Sequence, residues 1–337
     1  MATDFHSAPR TVVVTGASAG VGRAVAIAFA ESGDRVALLA RGKAGLAAAA
    51  EDVSGAGGIP LALPLDVADP DAVDQAADRI ETELGPIDVW VNNAMATIFA
   101  PVSQITTAEF RRATEVTYLG AVWGTMAALR RMRPRDHGVI VQVGSALAYR
   151  AIPLQAPYCG AKHGLRGFTD AVRCELLHDG SRVAITMVHL PAHNTPQFSW
   201  GRSRMPRHPQ PVPPIFQPEV AARAVVAASE NPRRELWVGW PTIKAIVGNK
   251  IVPGFADRYL ARTGYDSQQM DEPDPPKQYD NLFAPADEER DFGAHGIFDA
   301  RARPTSAMLT LSVHRRWLLL GSALAAGAVA WVVARRA

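Results

Sequence analysis

Between Thr11 and Val238 the chain alternates short β-branched, apolar runs with longer Ala-rich stretches of helical period, and few architectures accept that alternation. The runs are "TVVVT" (11–15), "RVALLA" (35–40), "IPLALPL" (59–65), "IDVWVNN" (87–93), "GVIVQVG" (138–144), "RVAITMVHL" (182–190) and "ELWVG" (235–239). Most are continuously apolar rather than alternating, so the predicted strands are covered on both faces. Helices are predicted over 21–32, 43–54, 70–84, 106–132, 157–178 and 218–230. Strand, helix and parallel strand in series, closed by right-handed crossovers, give an α/β protein. The expectation is a Rossmann-type, doubly wound parallel sheet of about seven strands with helices on both faces.

The 337 residues are 48% hydrophobic and 20% charged, enough for a sizeable core. A net charge of +2 gives no basic surface of the kind nucleic acid requires, so the expected partner is a small molecule. Cys159 and Cys174, carried on one helix, would lie ~22 Å apart at ~1.5 Å per residue, too far for a disulfide. Their spacing is not that of metal ligands, and no metal is expected. The first ten residues, "MATDFHSAPR", hold no apolar stretch that could serve as a signal peptide, so the folded part is expected to face a reducing cytoplasm.

Three regions are expected. The catalytic domain covers 1–262 and includes a loop, 191–217, with seven prolines interleaved with Phe198, Trp200, Met205, Ile215 and Phe216. Residues 263–308 are polar, acidic and Pro-rich, either a tether or a surface-wrapping strap; as a free coil they would span roughly 35 Å. Within 309–337, "WLLLGSALAAGAVAWVVA" (Trp317–Ala334) is 18 residues without a charge, flanked by His314-Arg315-Arg316 and Arg335-Arg336. That length just reaches a transmembrane helix, with Trp317 and Trp331 near its ends. The expectation is a single-pass C-terminal anchor with the catalytic domain in the cytoplasm; the alternatives are a cytoplasmic protein or an Ala-rich helix buried in a dimer.

"TGASAGVG" (15–22) follows the first strand and opens a helix, the context in which a glycine pattern becomes a phosphate site. Gly16 permits the tight turn, Gly20 lets backbone approach a pyrophosphate, and Gly22 allows close helix packing, with the helix N-terminus facing the phosphates. Further along stand "LDV" (65–67), "NNA" (92–94), Ser145 in "VGSA", and "YCGAK" (158–162), which puts Tyr158 and Lys162 one helical turn apart. These five motifs, in this order, resemble the classical short-chain dehydrogenase/reductases over about residues 10 to 240.

The resemblance implies a nicotinamide cofactor held by Gly16, Ser18, Gly20, Val21 and Gly22, with Asp66 and Val67 flanking the adenine, Asn93 and Ala94 lining the adenosine side, and Thr195 near the nicotinamide carboxamide. It also implies Ser145 as carbonyl orienter, Tyr158 as acid/base, Lys162 as cation that lowers the tyrosine pKa and binds the nicotinamide ribose, and a homo-oligomer. After the second strand stands Arg41, with Lys43 and no acid, which favours NADP(H) over NAD(H), since a guanidinium meets a 2′-phosphate bidentately. Three positions depart from the family pattern: Thr117 where an Asn usually holds a relay water, and Met95 and Ala192 in place of glycines. The expected activity is NADP(H)-dependent interconversion of a carbonyl and an alcohol, on a lipophilic substrate brought close by the membrane tail. The alternative is a cofactor-binding regulator or scaffold of the same fold with little turnover.

Overall fold

The computed structural model describes residues 8–274 and 280–314. Its centre is a sheet of β1 (Thr11–Thr15), β2 (Arg35–Ala40), β3 (Ile59–Pro64), β4 (Ile87–Asn92), β5 (Val139–Ser145), β6 (Ala184–Leu190) and β7 (Glu235–Trp237). The strands lie in the order β7-β6-β5-β4-β1-β2-β3, with every neighbouring pair parallel. Val12, Val13 and Val14 of β1 are wholly buried, and successive residues serve opposite layers. Val12 and Val14 pack with Val25, Phe29 and Leu46 on one face, and Val13 packs with Ile80, Trp90 and Met132 on the other. That two-sided burial is why the strands are continuously apolar.

The helices are α1 (Gly20–Ala30), α2 (Lys43–Gly55), α3 (Pro70–Leu84), α4 (Thr107–Thr114), α5 (Gly120–Arg135), α6 (Ala156–His178), α7 (Gln197–Trp200), α8 (Pro218–Glu230), α9 (Gly239–Ile251), α10 (Pro253–Thr263) and α11 (Ala307–Val313). Their starts are written locally. Asp69 accepts from the N–H groups of Asp71 and Ala72 ahead of α3, and Thr106 with Glu109 forms a capping box for α4. The helix expected over 106–132 is broken by a π-turn, Glu115–Leu119, between α4 and α5. There the Thr117 hydroxyl donates to the Ala96 carbonyl and accepts from the Ala96 N–H, both at 2.9 Å, tying the widened turn to the loop after β4.

Helices α9 and α10 are absent from the expected set. The physical reason is that the outward face of α9 carries Trp240, Val247 and Ile251, so the apolar period that marks a half-buried helix is blurred.

Past α10 the acidic segment folds back as a strap over the C-terminal ends of the strands. Leu282 and Phe298 are buried in the core, and the strap is fastened by Arg23 to Asp291, Arg202 to Asp280 and Asn194 to Asp299. The strap therefore walls the domain instead of holding it at a distance. Among the described residues no helix is long and apolar enough to cross a membrane. The candidate anchor, Trp317–Ala334, lies outside the described residues.

Candidate active site

A cavity of about 420 Å³ opens at the C-terminal ends of the strands. It spans the junction of β1 and β4, where the strand order reverses and where doubly wound sheets bind ligands. Gly16, Ser18, Gly20 and Val21 line one part, with Arg41, Asp66, Val67, Asn93 and Ala94; Ser145, Tyr158, Lys162 and Thr195 line another. The fold thus gathers fifteen expected residues save two, Gly22 and Thr117, around one space. Among the described residues no cluster of His, Cys, Asp or Glu could hold a metal.

The glycine loop fits a dinucleotide phosphate. Gly16 and Gly20 have φ of +65° and +59°, open to glycine without strain. A Cβ on Gly22 would sit 2.0 Å from the Gly16 carbonyl oxygen and 2.5 Å from Asn93 Nδ2, so Gly22 serves packing against the loop rather than contact with a ligand. The first-turn N–H groups of α1, which a helix leaves without intrahelical acceptors, belong to these loop residues. Asn93 is also a loop clamp: its amide donates to the Thr15 carbonyl at 2.9 Å and the Gly16 carbonyl at 3.3 Å. Thr15 completes the clamp, its hydroxyl accepting from the N–H groups of Asn93 and Ala94. No spacing rule singles out Thr15, because its hydroxyl acts only across the junction of two strands.

Ser145 ends β5, and its hydroxyl accepts from the Leu147 N–H at 3.1 Å and exerts a downward pull on the Tyr158 pKa. His189, from the adjoining strand β6, holds the Ser145 carbonyl at 3.0 Å and lies 3.6 Å from Glu235, which also accepts from Tyr149 and Trp237. Tyr158 and Lys162 stand on α6, with the Lys162 Nζ 5.6 Å from the tyrosine ring centroid and donating to the Val143 carbonyl at 2.7 Å.

Burial governs both groups. It pushes the Tyr158 phenol up to about 12 against a downward pull from Ser145, and it pushes the Lys162 ammonium down to about 8. Desolvation therefore sets the direction of the Tyr158 shift in the cofactor-free chain, opposite to the lowering expected from the lysine. Folding stability follows with a definite sign. Between pH 8 and 10.5 the unfolded chain holds the Lys162 proton that the folded chain has released, so stability rises with pH there. Above pH 10 the unfolded chain loses the Tyr158 proton first, and that contribution declines toward pH 12. As pH falls from 10 to 7, the Tm of the cofactor-free Lys162→Met variant should accordingly gain on that of the parent protein, whose buried ammonium becomes a growing burden. Parallel Tm-against-pH curves for the two proteins would contradict the buried-ammonium account.

Arg41 is placed differently from the expectation. Its guanidinium donates to the carbonyls of Asn281, Leu282 and Phe283, so much of its hydrogen-bonding capacity holds the strap. Burial, then the neighbouring Arg112, lowers its pKa. Asp287 of the strap packs its carboxylate where side chains at Gly42 and Gly45 would stand, with Oδ2 buried and unpartnered. Asp66 pairs with Arg112. Thr117, wholly buried and bonded twice to Ala96, does not line the cavity. Its hydroxyl is thereby committed to the backbone, and the relay expected of it is not what its contacts provide.

Two cavity groups escaped the sequence. Asp287 comes from a segment with no periodicity, more than 240 residues after Arg41 in the chain. His193 bonds the Pro191 carbonyl through Nδ1 at 3.0 Å and leaves Nε2 buried without a partner; burial holds its pKa down to about 4, so the ring is neutral. The Pro-rich loop supplies an apolar wall of Phe198, Trp200, Pro211 and Val212, continued by Leu147 and Ile152. Arg202 and Arg204 are bound to Glu109, and Arg207 to Asp266; none of the three lines the cavity.

Comparison with known proteins bears on the family and the fold. The profile of a family described as short chain dehydrogenase matches residues 10–203. An uncharacterized oxidoreductase of Bacillus subtilis, YxnA, is 28% identical over 332 residues, 97% of this chain and 91% of its own length. A D-threitol dehydrogenase of Mycolicibacterium smegmatis is 29% identical over 230 residues, 67% of this chain and 88% of its own. Among solved structures, an alcohol dehydrogenase from the archaeon Thermococcus sibiricus, complexed with 5-hydroxy-NADP, superposes with a TM-score of 0.60 at 25% identity, covering 68% of this chain and 96% of that one.

Proposed function

The chain belongs to the short chain dehydrogenase family and is an oxidoreductase of alcohol and carbonyl groups; on that premise we propose that its coenzyme is NADP(H), its substrate lipophilic, its acid/base Tyr158, and its working place a membrane reached through the C-terminal tail. The observation that carries the reading is the convergence of Ser145, Tyr158 and Lys162 on the cavity that the glycine loop also lines.

When bound, the nicotinamide supplies or accepts the hydride. The protein must then place a proton donor against the carbonyl oxygen. Tyr158 is such a donor: a phenol is protonated at pH 7, and burial strengthens that preference. Ser145 offers the second hydrogen bond to the same oxygen. Lys162, whose ammonium has three donors and gives one to Val143, has others for a ribose hydroxyl.

The lipophilic substrate rests on the apolar wall of the loop and on the commitment of Arg202, Arg204 and Arg207 to acids elsewhere. A panel of ketones and aldehydes of graded chain length, assayed by NADPH oxidation, tests it. Specificity should rise with chain length, and a preference for short hydroxylated ketones such as tetruloses would reverse the assignment.

The NADP(H) reading rests on Arg41 and Lys43 and gains support from the nucleotide in the archaeal neighbour. Asp287 opposes it, as a buried carboxylate close enough to raise the Arg41 pKa. Replacing it with Asn removes a like charge from beside a 2′-phosphate. Asp287→Asn should lower KM for NADPH relative to NADH by about tenfold, equivalent to ~1.4 kcal/mol. An unchanged ratio would mean that the 2′-phosphate, if accepted at all, is read elsewhere.

A further inference from the structure

Helices α9 and α10 turn large apolar side chains outward. Trp240, Val247 and Ile251 form one stripe of α9 at helical spacing, with Lys244 among them, and all are exposed. Val252 at the junction and Phe255 and Tyr259 of α10 extend the stripe, the last two rings stacked 6.3 Å apart. Of the sixteen large apolar side chains exposed among the described residues, seven fall between 240 and 265, and α10 buries none of its residues. Soluble surfaces usually scatter such groups singly.

The same two helices carry Lys244, Lys250, Arg258 and Arg262 against a single acid, Asp257, which is itself paired with Arg150 at 2.6 Å. Apolar and aromatic groups rimmed by cations match the boundary of an anionic bilayer. They do not match a second copy docking by two-fold symmetry, which would set the same cations against one another. The path of the chain points the same way. Helix α11 packs on α8 and α9 and is fastened by Arg233 to Ser312, so the described chain ends at His314 on the side of α9. The sequence that follows contains the uncharged run Trp317–Ala334. The inner side of α9 reaches the catalytic cavity through Pro241, Thr242 and Ala245.

We propose that the outer face of α9 and α10 is a docking surface for an anionic lipid bilayer, holding the cavity beside the membrane from which a lipophilic substrate would come. The inference deepens the membrane-tethered reading and rests on it for orientation. Trp240, Val247, Ile251 and Phe255 enter the headgroup boundary, while Lys244, Arg258 and Arg262 meet lipid phosphate.

The test uses the full chain with an environment-sensitive fluorophore on Phe255→Cys in a Cys174→Ser background, and the same label on exposed Val102→Cys as control. Vesicles of phosphatidylcholine mixed with phosphatidylglycerol should shift the label at 255 to the blue and leave that at 102 unchanged. Combining Lys244→Gln, Arg258→Gln and Arg262→Gln should lower the docked-to-undocked ratio roughly a hundredfold, near fivefold for each cation. A chain that floats with vesicles while the label at 255 stays unshifted overturns the docking face and leaves the tail anchor standing. A shift that high salt reverses together with flotation supports the face and overturns the anchor. A shift that grows with protein concentration and needs no vesicles overturns the proposal in favour of self-association.

Discussion

Tyr158→Phe should lower kcat for carbonyl reduction by about a thousandfold, the middle of the range for loss of a positioned general acid. Nucleotide binding should change little, because the substitution removes only the phenolic oxygen and leaves the ring and the glycine loop in place. The Tm should hold or rise slightly, since desolvation penalises the phenol and its replacement is an apolar isostere. This combination separates the acid from a merely structural tyrosine. Rates of wild type and variant measured by NADPH oxidation, with nucleotide affinity from fluorescence, supply the comparison; equal rates would remove Tyr158 from the chemistry.

Gly22→Ala should have the largest effect on stability, about 3 kcal/mol, within the range for forced overpacking. The added Cβ would lie 2.0 Å from the Gly16 carbonyl oxygen and 2.8 Å from the Gly16 carbonyl carbon, so it meets backbone that has no rotamer in which to retreat. The loop would have to shift, and with it the N–H groups at the start of α1. The control is Gly160→Ala. Gly160 lies between Tyr158 and Lys162 on α6, yet a Cβ there meets nothing within 4 Å. An alanine in that exposed helical position should stabilise by roughly 0.5–1 kcal/mol and leave the rate unchanged. Urea denaturation of both variants would show opposite displacements of the midpoint. Similar losses in the two would mean that the close approach of Gly22 to Gly16 is not what fixes the loop.

The sheet was legible because its strands are buried on both faces: "TVVVT" and "RVALLA" have the observed limits of β1 and β2. The grouping of cavity residues was legible because Tyr158 and Lys162 are tied by helical spacing and the glycine loop by its place between strand and helix. What sequence could not carry were contacts between distant segments. The reading of Arg41 as a free phosphate ligand depended on its neighbours in the chain, and its bonds to Asn281, Leu282 and Phe283 come from a segment without a period. Thr117 was placed by analogy of position, whereas the π-turn rotates its hydroxyl onto Ala96. Helices α9 and α10 were hidden because amphipathicity reads as a contrast between faces, and there the outer face is apolar too.

The same limit explains the pKa values. Proximity of a lysine to a tyrosine on one helix predicts a lowered phenol, but the depth of the cavity is a property of the folded chain, and desolvation moves both groups toward their neutral forms.

The central claim is that hydride passes between a nicotinamide and a carbonyl carbon in the cavity bounded by Ser145, Tyr158 and Lys162. The most direct test incubates the full chain with NADPH carrying deuterium at the transferable C4 position and a lipophilic ketone, then reads the product by mass spectrometry. One deuterium at the carbinol carbon of each alcohol formed by wild type, and no alcohol above background with Tyr158→Phe, is the predicted result. A wild-type chain that binds the nucleotide yet transfers no deuterium to any ketone or aldehyde of the panel would contradict it.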